Sequence, residues 1–236
     1  MTRSKHNTWK HLLLGKVSGK YMLWMLLLTL LLFAIGNLWS YFLYPEDSVR
    51  GSYSIIKNSV SSLGNQEKNP QGSLIWRLSF IFGGLSIIPV INYLYHRLQP
   101  VANITSKMFW ISSVVASICV SLVGVFPENA GLIHYIFAIL AFFAYMFGFC
   151  CNLYTFSKMH RENYPRFSII PVIILYIFLI GSMIGFIVGL ILFGLWYFYG
   201  LYWINIYLPL WEWLVLIAEL VYIIGIFCII AIAEKN

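Results

Sequence analysis

The chain has 236 residues, of which 61% are hydrophobic and only 10% charged, with a formal net charge of +7. A soluble domain carries about 25% charged residues, so this composition excludes an ordinary water-soluble enzyme or binding module. The positive charge is not a nucleic-acid footprint either, because it lies in short segments between apolar runs.

Residues 1–20 are basic and contain Trp9 and Leu12 to Leu14, the pattern of a segment lying on a membrane surface. Six apolar runs follow, at about 21–44, 74–98, 107–126, 131–156, 167–195 and 209–233. Each approaches or exceeds the roughly 20 residues that cross a bilayer at 1.5 Å per residue. The expected fold is therefore all-α: a polytopic membrane bundle of six transmembrane helices over 21–236, with no room for a second domain. The first run is too long for the roughly 7–15-residue core of a signal peptide and predicts a retained anchor. The expected location is the cell membrane, multi-pass.

Five basic residues (Arg3, Lys5, Lys10, Lys16, Lys20) precede the first run. Arg97 and Lys107 flank the second connection, and Lys158, Arg161 and Arg166 lie in the fourth. The intervening loops are neutral or acidic, so the positive-inside rule predicts both termini inside. The basic faces meet anionic lipid, and membrane lipid is the expected partner, with no nucleic acid.

The connection 45–73 is the one long loop, and it is predicted to face outward. Its Ile56, Val60 and Leu63 recur at helical spacing, which predicts a short amphipathic helix packed on the bundle as a cap. In the third run Ser113, Ser117 and Ser121 recur every four residues, as do Gly181, Gly185 and Gly189 in the fifth. Both stripes read as close helix packing. Trp196 to Trp203 reads as an interfacial aromatic belt. No run is broken midway, and Asn92 and Asn152 are the only polar candidates toward the inner side.

Ionisable groups within a membrane usually have a partner or a role. Glu219 lies near the midplane of the last run. Glu212, seven residues earlier, shares its helix face about 10.5 Å away along the axis. Arg77 and His134 open the second and fourth runs on the outer side. Together with Glu212 they form a candidate outward polar cup, with Ser62 and Asn69 in the loop above it and Glu219 below. In an enzyme acting on a lipid headgroup, His134 is the general acid or base, Glu212 orients it, and Ser62 or a water is the nucleophile. In a transporter, Glu219 is the proton-coupled carboxylate. In a protein that binds or organises outer-leaflet lipid, or modulates a membrane partner, Arg77, Ser62, Asn69 and Glu219 contact the ligand. The motifs of common hydrolases, nucleotide-binding proteins and zinc enzymes are missing, so no cofactor and no metal is expected.

The stretch Ser59-Val60-Ser61-Ser62-Leu63-Gly64 with Asn69-Pro70 resembles the S-x-L-G…N-P signature of a prokaryotic six-span membrane family of unknown function. Gly124-Val125-Phe126-Pro127 followed by His134 is similar to its second signature. Glu212 matches an acidic residue that opens its last span, although Trp213 follows where that family has a basic residue. The layout is also similar to the DRAM autophagy modulators and to proteins of glycolipid-anchor remodelling. The resemblance implies a six-helix bundle with a lipid-related role and no demonstrated reaction.

Overall fold

A computed structural model describes residues 11–46, 52–162 and 208–233, with isolated positions between 173 and 195. Residues 1–10 of the basic segment, Gly189 and the 196–203 aromatic belt lie outside the described residues. So does most of the predicted fifth run; its described positions are helical.

Among the described residues every regular element is helical. α1 spans Gly19–Phe42, α2 Ser73–Ser86, α3 Ile88–Leu98, α4 Asn103–Val125, α5 Leu132–Arg161 and α6 Leu208–Ala233. Two 3₁₀ turns, Val60–Gly64 and Glu128–Ala130, lie at one end of the bundle. Gly19–Phe42, Ser73–Leu98, Asn103–Val125 and Leu132–Met159 are each long and apolar enough to cross a membrane. Their outward faces are oily: in α1, Leu27, Leu31, Ile35 and Leu38 are all 44–59% exposed. Such a continuous apolar surface is stable in lipid and not in water.

Hydropathy treats residues 74–98 as one unbroken run, and here the structure corrects it. The stretch is two helices that meet at Ile87, with Pro89 in the first turn of α3. Proline has no N–H to donate and its ring crowds the preceding turn, so the helix restarts rather than continues. α4 and α5 then form an antiparallel hairpin. Pro127 ends the first helix, and Gly131 turns the chain with φ of 66°.

The α4–α5 pair is the most extensive helix contact, followed by α1–α2 and α2–α4. Small residues set these distances. A Cβ at Gly84 would meet Ser121 and the carbonyl of Ser117, and one at Gly148 would meet Ser112 and Ser113. The serine stripe of α4 is thus buried between neighbouring helices, as close packing requires. One apolar cluster, with Leu26, Val90, Phe109, Phe149 and Tyr222, fills the bundle body. A second, built on Tyr53, Val60, Leu63, Trp76 and Phe80, fills the end that carries the two turns.

That second cluster anchors the loop as a cap. Within it the amphipathic-helix expectation needs correction. Val60 and Leu63 are buried, but Ile56 is 56% exposed, because the regular element is a 3₁₀ turn that begins only at Val60. Ser59 caps that turn by accepting from the Ser62 N–H.

Candidate functional site

The cap is held by buried polar side chains reaching its backbone. Asn69, fully buried, donates from Nδ2 to the carbonyls of Ser40 and Leu63 and to Ser40 Oγ, at 2.8–3.0 Å. Its Oδ1 accepts from the Gly72 N–H at 3.0 Å. Ser40 Oγ donates to the carbonyls of Leu63 and Gly72. Asn69 therefore splices the end of α1, the 3₁₀ turn and the start of α2. Ser62 is also turned inward, its Oγ donating to the Ser59 carbonyl at 2.7 Å. Both signature residues of the loop thus satisfy backbone groups that burial would otherwise leave unpaired.

The second signature has a parallel explanation. The end of α4 leaves carbonyls without partners in the helix, and Pro127 has no N–H to offer them. Arg77 donates from Nε to the Gly124 carbonyl at 3.1 Å and from Nη2 to the Val125 carbonyl at 3.2 Å. His134 faces the Phe126 carbonyl through Nδ1 at 2.8 Å. A carbonyl only accepts, so Nδ1 carries the proton. A cation and a ring N–H are thus gathered on the negative end of one helix dipole. The structure brings Arg77 and His134 together at this helix end, and among the described bonds neither reaches Glu212.

Glu212 is instead joined to the cap. Ser61 Oγ donates to Glu212 Oε1 at 2.5 Å. Beside them Trp213 Nε1 donates to Tyr53 Oη at 3.2 Å and to the Asn58 carbonyl at 3.3 Å. Tyr53 Oη donates to the Ser59 carbonyl at 2.9 Å. Burial pushes the Tyr53 phenol well above its ordinary value, outweighing the Trp213 hydrogen bond, so it stays protonated as a donor. Across the cap's other edge, Glu128 accepts from Asn65 at 3.0 Å and pairs with Lys68 at 3.0 Å, tying the loop to the α4–α5 hairpin.

Beneath the cap lies an apolar cavity of about 70 Å³. Phe33 of α1, Phe80 and Gly84 of α2, Val120 and Val123 of α4, and Ala138, Ala141 and Tyr145 of α5 form most of its wall. Val60 and Ser61 form the roof, and Glu212, Leu216, Glu219 and Ile223 of α6 close the side. Glu219 is 5% exposed, and its Oε1 has no hydrogen-bond partner among the described residues. Two carboxyl groups therefore face one oily chamber, one at its roof and one on its wall. Among the described residues, the lining contains no Lys, Arg or His. His134, Arg77, Asn69 and Ser62 do not line it.

From residue 33 in α1 to Glu219, the chain matches a family described as a protein of unknown function (DUF998). The chain belongs to this family. The match covers about four-fifths of the sequence and takes in the cap, the helix-end cluster and both carboxylates. No curated protein and no solved structure matches the chain. What membership establishes here is a membrane protein built of apolar helices, in a family whose function is not assigned.

Three residues of the site were not singled out from sequence: Ser61, Tyr53 and Trp213. Ser61 is one of three neighbouring serines, and nothing in its spacing separates it from Ser59 and Ser62. Trp213 stands where the resemblance led to the expectation of a basic residue. That departure is its one sequence signal, and it marks a side chain that donates to the cap instead.

Proposed function

We propose that this protein binds a membrane lipid or similar amphiphile at its capped end, with apolar chain in the cavity and a polar group at the Ser61–Glu212 roof. The observation that carries this reading is the cavity itself. It has apolar walls drawn from α1, α2, α4, α5 and α6, and a carboxylate at the level where the cap meets the last helix. Burying a chain segment against Phe33, Phe80, Val120 and Val123 is favourable by about 25 cal/mol per Å² of apolar surface. A hydroxyl or ammonium group at the roof meets the Glu212 carboxyl group beside Ser61. The distribution of basic residues supports an outward position for the cap, a six-span count and both termini inside. The protein then acts as a lipid-holding or lipid-organising component of the cell membrane.

The enzyme reading, with His134 as base and Glu212 orienting it, draws less support. The His134 ring is 1% exposed, its Nδ1 is engaged at the end of α4, and it does not line the cavity. Native mass spectrometry of the purified protein, released from lipid nanodiscs, tests the binding reading. The wild type is expected to retain one lipid adduct. Ala141→Phe, which fills the cavity, and Glu212→Gln, which removes the roof charge, are expected to lose or weaken it. Wild-type protein free of lipid, or variants with the same adducts as wild type, overturns the reading.

A further inference from the structure

The cavity reading leaves Glu219 without a use for its free oxygen, and a second set of buried polar atoms runs away from it. Tyr145, which lines the cavity with Glu219, shares a hydrogen bond with Ser117 of α4 at 2.9 Å. One turn further along α4, Ser113 Oγ has no partner among the described residues. Further along the α4–α5 pair, Asn152 is fully buried with Oδ1 and Nδ2 both unpartnered among the described residues, and so is the buried Ser106 Oγ. The series ends where Thr105 and Thr155 meet at 2.9 Å, one turn before Lys158 reaches the Val101 carbonyl at the end opposite the cap.

Ser121, bonded to its own helix and to the Ile81 carbonyl, needs no explanation beyond packing. Fully buried and unpartnered amide and hydroxyl groups are different. Each is costly to leave unpaired unless water or a ligand satisfies it, and a polar site with room for it holds water. Such groups stand at intervals along the seam, from the carboxyl at its head to the far end. We infer that Glu219 is a proton-exchange site, and that the α4–α5 seam of Tyr145, Ser117, Ser113, Asn152, Ser106, Thr155 and Thr105 connects it to the end of the bundle opposite the cap.

In the exchange, the carboxyl O–H of Glu219 breaks as its proton passes to the next oxygen. That oxygen releases one of its own protons onward until the last one passes to water at the far end, and the reverse passage along the same seam reprotonates Glu219, so the carboxyl and every hydroxyl recover their count. Asn152 donates and accepts to hold a water and transfers no proton itself. Among the described residues, the titratable groups facing Glu219 are Tyr145 from α5 and Glu212 from its own helix. α1, α2 and α4 present Phe33, Phe80, Gly84, Ile87, Val120 and Val123 to the cavity, none of which titrates. No cation among these competes with the proton for the Glu219 carboxylate. The inference does not depend on lipid occupying the cavity.

Hydrogen–deuterium exchange of full-length protein reconstituted in liposomes, followed by infrared spectroscopy, tests it. The carbonyl stretch of a protonated, buried carboxyl should shift within the mixing time in wild type, and Glu219→Gln should remove that band. Asn152→Leu should slow the shift markedly, and Asn152→Ser, a smaller change, should slow it less. A wild-type band that resists exchange for hours, a band unchanged in Glu219→Gln, or the same exchange rate in Asn152→Leu each overturns the proposal.

Discussion

Ser61 and Glu212 are 151 positions apart in the chain, and the 2.5 Å hydrogen bond between them is the polar tie from the cap to the last helix at the cavity roof. A hydroxyl donating to a carboxylate forms a short, charge-assisted bond, roughly twice as strong as a neutral one. Whatever binds in the cavity meets this pair, and whatever loosens the cap breaks it. Ser61→Ala leaves a half-buried carboxylate without its donor. The expected cost is about 1–3 kcal/mol, read as a lower midpoint in thermal unfolding in detergent and as faster proteolysis of the loop. Ser61→Thr keeps the hydroxyl and should recover most of the loss.

Asn69 makes four hydrogen bonds and is fully buried. Asn69→Ala removes its donors and acceptor together and leaves the Leu63 and Ser40 carbonyls short of partners. It should destabilise the protein by about 2–4 kcal/mol, more than the loss of any single hydrogen bond. Asn69→Asp should be nearly as harmful, because a carboxylate cannot donate to those carbonyls. Midpoints in a denaturant series in mild detergent check both.

His134 distinguishes a structural role from a chemical one. If its purpose is the Phe126 carbonyl at the end of α4, His134→Ala lowers stability by about 1–3 kcal/mol and the lipid adduct falls only as far as the fold weakens. His134→Gln, which can still donate, should lie between wild type and His134→Ala. A catalytic base would give the opposite pattern, with thermal midpoints intact and headgroup turnover lost in both variants.

Tyr53 provides a pH dependence with a definite sign. Burial raises its phenol above the ordinary value of 10.0, so the folded state holds the proton more tightly than the unfolded chain. Its contribution to stability is fully present below pH 10.0 and is lost as the pH rises through the higher folded value. The cap should therefore loosen in alkaline solution, seen as rising exposure of Trp213 by fluorescence quenching. Tyr53→Phe should lack that alkaline step and begin from a weaker cap at neutral pH, because Trp213 keeps only the Asn58 carbonyl and the Ser59 carbonyl loses the phenol donor.

Membrane embedding, helical class and the approximate positions of the long apolar helices were determined by the sequence alone. The reason is that hydropathy adds up along a continuous stretch of chain and needs no knowledge of neighbours. Local geometry was legible in the same way: Glu212 and Glu219 share a face because seven residues make nearly two turns. The partners of the polar residues were decided only by tertiary packing. His134 and Arg77 looked like members of a cup with Glu212, yet the rotation of α2 and α5 aims both at the carbonyl end of α4. Ser61 could not be told from Ser59 or Ser62 until the 3₁₀ turn directed one hydroxyl toward α6 and the others toward the backbone. Ile56 fitted a helical stripe and lies exposed, because the loop takes its shape from Asn69, Ser40 and Tyr53, which hold it at a distance in sequence. Periodicity records which way a residue points on its own element. It carries nothing about the rotation and spacing of the elements that surround it, and those set every contact in the candidate site.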